Sequence, residues 1–143
     1  MPETPARDPL SLDAQLCFPV YASQQRIAAA YRELLAPLSL TYPQYLVLLV
    51  LWESDGVLVS EIGDRLHLDS GTLSPLLKRM AAAGLVERRR DDADERRVRI
   101  HLTEAGAALR QRAAGIPAEL FGRLGLTIDE AERLRGLLAK LCS

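Results

Sequence analysis

The chain has 143 residues, 48% hydrophobic and 26% charged, with 18 Lys+Arg against 19 Asp+Glu and two cysteines. That length supplies one domain with a substantial core, and the apolar content excludes a disordered chain. Two cysteines are too few for a disulfide-stapled scaffold or a four-ligand zinc site, and the longest apolar run, Tyr45 to Trp52, is far below the ~20 residues that cross a bilayer.

Residues 1–10 are Pro-rich and polar and read as a flexible arm. They lack the basic and apolar regions of a secretory leader, so the expectation is a cytoplasmic protein with reduced thiols and no membrane partner. From Ser11 to about Leu38 the apolar spacing of Leu16, Val20, Ile27, Tyr31 and Leu34 predicts a long helix. Pro19 cannot supply an amide, so this helix either starts near Phe18 or is kinked there. Thr41 and Gln44 form a capping box opening a second helix, Tyr42 to about Ser54, which is apolar nearly all round and therefore a core helix. Val57–Val59 is a candidate short strand.

Ser60 is expected to cap a short helix over 61–67, and Asp69 or Ser70 the next one, which ends at Gly84. The second of these turns Leu73, Leu76, Leu77 and Met80 inward. Its other face shows Ser70, Gly71, Thr72, Ser74, Pro75, Lys78 and Arg79. Two strands, 85–90 and 97–102, flank a polar turn; the second alternates Val98, Ile100 and Leu102 against Arg97, Arg99 and His101. Thr103 caps a helix to about Gly115 and beyond. Thr127 and Glu130 make a second capping box for a last amphipathic helix ending near Leu141.

Charge is unevenly placed along this order. Residues 1–70 hold nine acids and four bases, residues 71–112 ten bases and six acids, and residues 113–143 four of each. Sixteen of the eighteen bases are arginine, the side chain suited to phosphates and guanine edges. A solvated, salt-bridged surface would account for such a run. Two short tandem helices followed by a basic hairpin, however, form the pattern of a winged helix-turn-helix, whose second helix enters the major groove of double-stranded DNA. Small polar residues at that helix start, Ser70, Thr72 and Ser74, allow close approach, with Lys78, Arg79, Arg88, Arg96 and Arg97 supplying positive charge. The fold expected is mainly α with a small β-hairpin wing. Residues 11–143 form one domain in which 11–54 and 104–143 surround a DNA-binding unit at 57–102.

Cys17 sits beside a helix N-terminus, where the macrodipole favours a thiolate, and Tyr21 is one turn away. Tyrosine hydroxyls donating to a sulfur favour its charged form. A lone cysteine in a helical protein is more often an inert packing residue, and the tyrosines are equally ordinary core aromatics, so the residues alone do not displace that reading. Cys142 is uninformative by position. His67 and His101 have no metal-ligand spacing, and no cofactor motif or paired catalytic carboxylates are present, so neither a metal nor a cofactor is expected.

The stretches Leu16-Cys17-Phe18 with Tyr21, Leu40-Thr41-Tyr42-Pro43-Gln44-Tyr45, Leu68-Asp69-Ser70-Gly71-Thr72-Leu73 and Asp94-Glu95-Arg96 resemble the MarR family of winged-helix regulators, and within it the organic-hydroperoxide-sensing OhrR branch. The likeness spans about residues 11–141. It implies a homodimeric repressor, not an enzyme, that binds a pseudo-palindromic operator and is induced by organic hydroperoxide. The resemblance makes Cys17 the redox-sensing thiol and Tyr31, Tyr42 and Tyr21 its stabilising tyrosines. It puts Ser70, Thr72 and Arg79 on the major-groove helix and Arg96 at the wing tip, braced by Asp94. First and last helices would interdigitate across the two-fold, and peroxide would enter a pocket lined by side chains such as Phe18 and Leu46. Two departures are Pro19, where the family has an ordinary helix former, and residues 121–127, which hold no resolving cysteine. A mixed disulfide with a low-molecular-weight thiol and a bridge from Cys17 to the partner's Cys142 both stay open. The competing functions are a MarR-type repressor released by a small phenolic ligand, a thiol peroxidase, and a purely structural helical dimer.

Overall fold

The computed structural model describes residues 7–142. Residues 1–6 of the expected N-terminal arm, and Ser143, lie outside the described residues. A 3-10 turn, Leu12–Ala14, precedes α1, which runs Cys17–Leu35 and is followed by a second 3-10 turn, Ala36–Leu38. The long first helix therefore starts at Cys17 rather than at Ser11, where its apolar spacing would begin it. Pro19 explains the difference: it falls in the first turn, where an amide would have no intrahelical acceptor. Residues ahead of it are held locally, with the Gln15 side chain donating to the Pro9 and Ser11 carbonyls, both at 2.8 Å.

Helix α2, Tyr42–Glu53, begins at the Thr41 capping box, the Gln44 amide donating to Thr41 Oγ1 at 3.4 Å and the Thr41 amide to Gln44 Oε1 at 3.0 Å. Its Tyr45, Val47, Leu48, Val50 and Leu51 are buried, which is what a helix apolar all round requires. Burial in protein accounts for that composition, and among the described residues no single helix is long and apolar enough to cross a membrane. Around α2 pack Leu35 from α1, Ile62 from α3 (Val59–Leu66), and Leu73, Leu77 and Met80 from α4 (Ser70–Ala82).

Strand β1 is Val57–Leu58, β2 is Val86–Arg90 and β3 is Val98–Leu102, in the antiparallel order β1-β3-β2. Arg88 and Val57 both lie opposite Ile100, whose side chain is fully buried under the sheet. Ser60 does not cap α3. The helix begins two residues earlier, with Leu58 as N-cap and its amide donating to Glu61 Oε2 at 2.9 Å. That leaves the Ser60 hydroxyl exposed in the first turn. The helix expected from Thr103 divides in two, α5 (Glu104–Ala113) and α6 (Ile116–Leu124), with Gly115 and Pro117 at the break. Helix α7, Ile128–Cys142, opens at the Thr127–Glu130 box, with reciprocal bonds of 3.0 and 3.1 Å. It buries none of its residues in its own chain.

Candidate nucleic-acid interface and thiol site

The start of α4 is fixed by Asp69, whose Oδ1 accepts the Thr72 amide at 2.7 Å. Hydrogen bonds from Thr72, backbone first, hold the Asp69 carboxyl below its ordinary value. With Leu73, Leu76, Leu77 and Met80 buried, the opposite face of α4 carries Gly71, Thr72, Pro75, Lys78 and Arg79 exposed. The wing folds over one flank of this helix. Ser70 and Ser74 from α4 and Arg88, Arg96 and Arg97 from the hairpin line one cleft of about 420 Å³, with Ser60 at its edge. Five of the eight expected DNA-contacting side chains thus meet in one place. Thr72, Lys78 and Arg79 lie on the open face of the same helix, outside the cleft.

At the wing tip the Arg96 amide donates to Asp94 Oδ1 at 3.0 Å, and the Arg96 Nε lies 3.7 Å from the same oxygen. The Arg96 side chain is otherwise 95% exposed, so Asp94 sets where the arginine starts and leaves the guanidinium free to reach outward. Arg99 behaves differently from its strand position. It turns back, donating from Nε to Asp91 Oδ1 at 3.0 Å and from Nη1 to the Gly56 carbonyl at 2.8 Å. The hydrogen bond to Asp91 keeps that carboxyl below its usual range. Arg99 therefore clips the wing base to the loop before β1 rather than joining the outer basic face. Ser60 is the cleft residue that sequence reasoning missed, having assigned it to a cap. Glu61 lies three residues after Leu58, half of a capping box, and was the available sign that the helix starts earlier.

Cys17 is the first residue of α1 and is exposed, as is Cys142 at the end of α7; both are free thiols. Tyr31 and Tyr42 stack with ring centroids 4.4 Å apart, and Tyr45 tilts against both at 5.8 and 6.4 Å. A hydrogen bond joins the Tyr31 and Tyr42 side chains. Burial first, then the neighbouring phenols, pushes the Tyr31 pKa far above its ordinary value, and burial raises Tyr42 as well. This pair forms one end of an apolar groove of about 460 Å³, walled by Leu16 just ahead of α1, Val20 and Ile27 of α1, and Leu134 and Leu138 of α7. Phe18 and Leu46, expected to line the pocket, do not. Phe18 projects outward, 44% exposed, because the α1 face that meets the groove carries Leu16, Pro19 and Val20 instead. Tyr21 also stands apart, its hydroxyl accepting from Gln25 Nε2 at 2.9 Å.

Cys17 and Tyr31 are fourteen residues apart on one continuous helix, which at 1.5 Å per residue separates their backbones by about 21 Å. No side-chain rotamer closes that gap. Within one chain, the structure brings Tyr31 and Tyr42 together and keeps Cys17 away from them.

Residues 29–112 match the family described as the transcriptional regulator SarA/Rot. Among curated relatives, the chain is 54% identical to the transcriptional regulator TtmR of Methylorubrum extorquens (99% of this chain, 72% of that one). It is 47% identical to the organic hydroperoxide resistance transcriptional regulator of Bacillus subtilis (94% and 89%). Its fold superposes on reduced AbfR bound to DNA with a TM-score of 0.78 at 34% identity (92% and 91% covered). It also superposes on a mutant MarR from E. coli complexed with operator DNA, at 0.82 and 30% (90% and 94%). The chain belongs to the MarR family of winged-helix transcriptional regulators. Members of this family bind DNA and regulate transcription; they are not enzymes. In this MarR-family chain the α3–α4 pair is the helix-turn-helix and the β2–β3 hairpin the wing.

Proposed function

We propose that this MarR-family regulator is a homodimeric, redox-controlled repressor that releases its operator when an organic hydroperoxide oxidises Cys17. The observation that carries the reading is the tyrosine pair at one end of the apolar groove, about 21 Å along α1 from an exposed thiol that it cannot reach within its own chain. A second copy supplies what is missing. Leu16, Val20, Leu137 and Leu141 are exposed apolar side chains on α1 and α7, outside the DNA-binding unit, and they need a partner to cover them. A two-fold contact through these helices presents each Cys17 to the groove of the partner subunit, where the Tyr42 hydroxyl, itself accepting from Tyr31, donates to the sulfur.

The Cys17 sulfur attacks the terminal peroxide oxygen. An S–O bond forms, the O–O bond breaks, and the thiol proton leaves with the departing alkoxide as an alcohol. Sulfur loses two electrons and the hydroperoxide gains them, giving a sulfenic acid. A low-molecular-weight thiol, or the partner's Cys142, then condenses with that sulfenic acid, forming a disulfide and expelling water. Leu138, one turn before Cys142, and Leu16, next to Cys17, line the same groove, which supports keeping Cys142 as the resolving candidate. Oxidation removes the sulfur's acceptor bonds, α1 and α2 shift, and two recognition helices that must fit two major grooves together lose their spacing. The cell-level expectation is a cytoplasmic protein acting on the chromosome.

Cys17→Ser tests this. The variant should bind a duplex selected by the wild-type protein with unchanged affinity and hold it in cumene hydroperoxide; release of DNA from the variant by the peroxide contradicts the assignment. The groove favours one second reading, because its apolar walls and two phenolic hydroxyls also suit a small phenolic acid. A thermal shift with phenolic acids, and DNA release by them that persists in Cys17→Ser, would identify that case.

A further inference from the structure

Pro75 lies inside α4, the sixth residue of the recognition helix, where proline is otherwise avoided. Its ring nitrogen has no hydrogen to donate to the carbonyl four residues back, that of Gly71. Gly71 and Pro75 are one turn apart and both exposed, on the side away from the buried Leu73, Leu76, Leu77 and Met80. Space is open beside Gly71: apart from the helix's own backbone, a Cβ built there would meet only Asp69 Oδ1, at 3.4 Å. A helix-breaking residue and a helix-weakening one therefore stand together at the centre of the face turned from the core. Alanine at either position would favour the helix. Folding gives no reason for the pair.

Resting on the DNA-binding role above, we infer that Gly71 and Pro75 read base edges in the major groove. Glycine lets the backbone come close. The Gly71 carbonyl, lacking its usual donor, accepts from an exocyclic amine, adenine N6 or cytosine N4, and the Pro75 ring packs on a thymine methyl. Backbone and ring supply base discrimination here, beside the arginines that line the flanking cleft.

Pro75→Ala returns an amide to the Gly71 carbonyl and removes the ring; Gly71→Ala puts a methyl where the base edge would sit. Both variants should melt at or above the wild-type temperature, so misfolding does not confound the readout. The probes are a duplex enriched from a random pool by the wild-type protein and a scrambled duplex of the same composition. Each variant should bind the enriched duplex at least tenfold more weakly and the scrambled one as wild type does. Replacing the contacted thymine by deoxyuridine, which lacks the methyl, should weaken wild type and leave Pro75→Ala unaffected. Unchanged preference for the enriched duplex in both variants, or an equal deoxyuridine penalty in wild type and Pro75→Ala, overturns the inference while leaving DNA binding intact. A pool from which wild type enriches no sequence overturns the DNA-binding role itself.

Discussion

Tyr31 keeps its proton far into the alkaline range because it is buried beside two other phenols. That makes the Tyr31–Tyr42 pair a standing hydrogen-bond donor at any physiological pH, which is the property a reactive sulfur needs from its surroundings. Removing the second hydroxyl with Tyr42→Phe should therefore slow oxidation of Cys17 by cumene hydroperoxide at least several-fold while leaving affinity for the selected duplex unchanged, as read by competition with a thiol-specific probe. An unchanged oxidation rate would leave the pair as core packing. The raised value also sets an alkaline limit. A group whose folded pKa lies above its unfolded one contributes stability that is complete below the unfolded value, here 10.0, and is lost as pH rises through the folded one. Melting temperature should fall above pH 10.0 in wild type and less steeply in Tyr31→Phe.

At the scale of elements, the ends of helices decide more than their middles. Asp69 caps the recognition helix, and Asp91 anchors Arg99 at the wing base. Both carboxyls are held below their ordinary value of 3.8, so the stability they confer is present above that value and lost as pH falls through the lower folded one. Asp69→Asn keeps an acceptor for the Thr72 amide without a charge, and should show a shallower loss of melting temperature below pH 3.8. The start of α5 is equally constrained. A Cβ on Gly106 would overlap the Leu85 carbonyl, and the Gly106 carbonyl accepts from Trp52 Nε1 at 2.9 Å. Gly106→Ala should cost about 1–3 kcal/mol by urea unfolding, typical of overpacking. The Thr41 and Thr127 boxes and the apolar faces of α2 and α4 were legible in the sequence, because caps and periodicity are local signals. Three features were not. The start of α3 hid behind Ser60, a good capping residue that the structure leaves exposed in the first turn. Arg99 follows the outward alternation of β3, yet Asp91 and the Gly56 carbonyl draw it back. The separation of Cys17 from Tyr31 depends on α1 running unbroken, which Pro19 left undecided.

Across the whole molecule, a formal net charge of −1 conceals a basic recognition unit set on an acidic N-terminal half. The bases that converge on the cleft, Arg88, Arg96 and Arg97, predict a steep salt dependence of DNA affinity, and each arginine truncated should flatten the slope by about one. The uncovered apolar faces of α1 and α7 predict a dimer by analytical ultracentrifugation, and an acid placed in that contact, such as Leu137→Glu, should yield monomers that bind the selected duplex poorly. On the proposed reading dimerisation and sensing are one property, since Cys17 and the tyrosine pair of one chain lie too far apart to meet. The most direct measurement titrates the DNA-bound dimer with cumene hydroperoxide, following duplex release by fluorescence anisotropy and the protein by intact mass. Release should track oxidation at Cys17 and be complete at about one equivalent per protomer, with the adduct, or a disulfide to Cys142 or a small thiol, mapped to Cys17. Full oxidation of Cys17 with the duplex still bound, or release while Cys17 remains a free thiol, would contradict redox control through this residue.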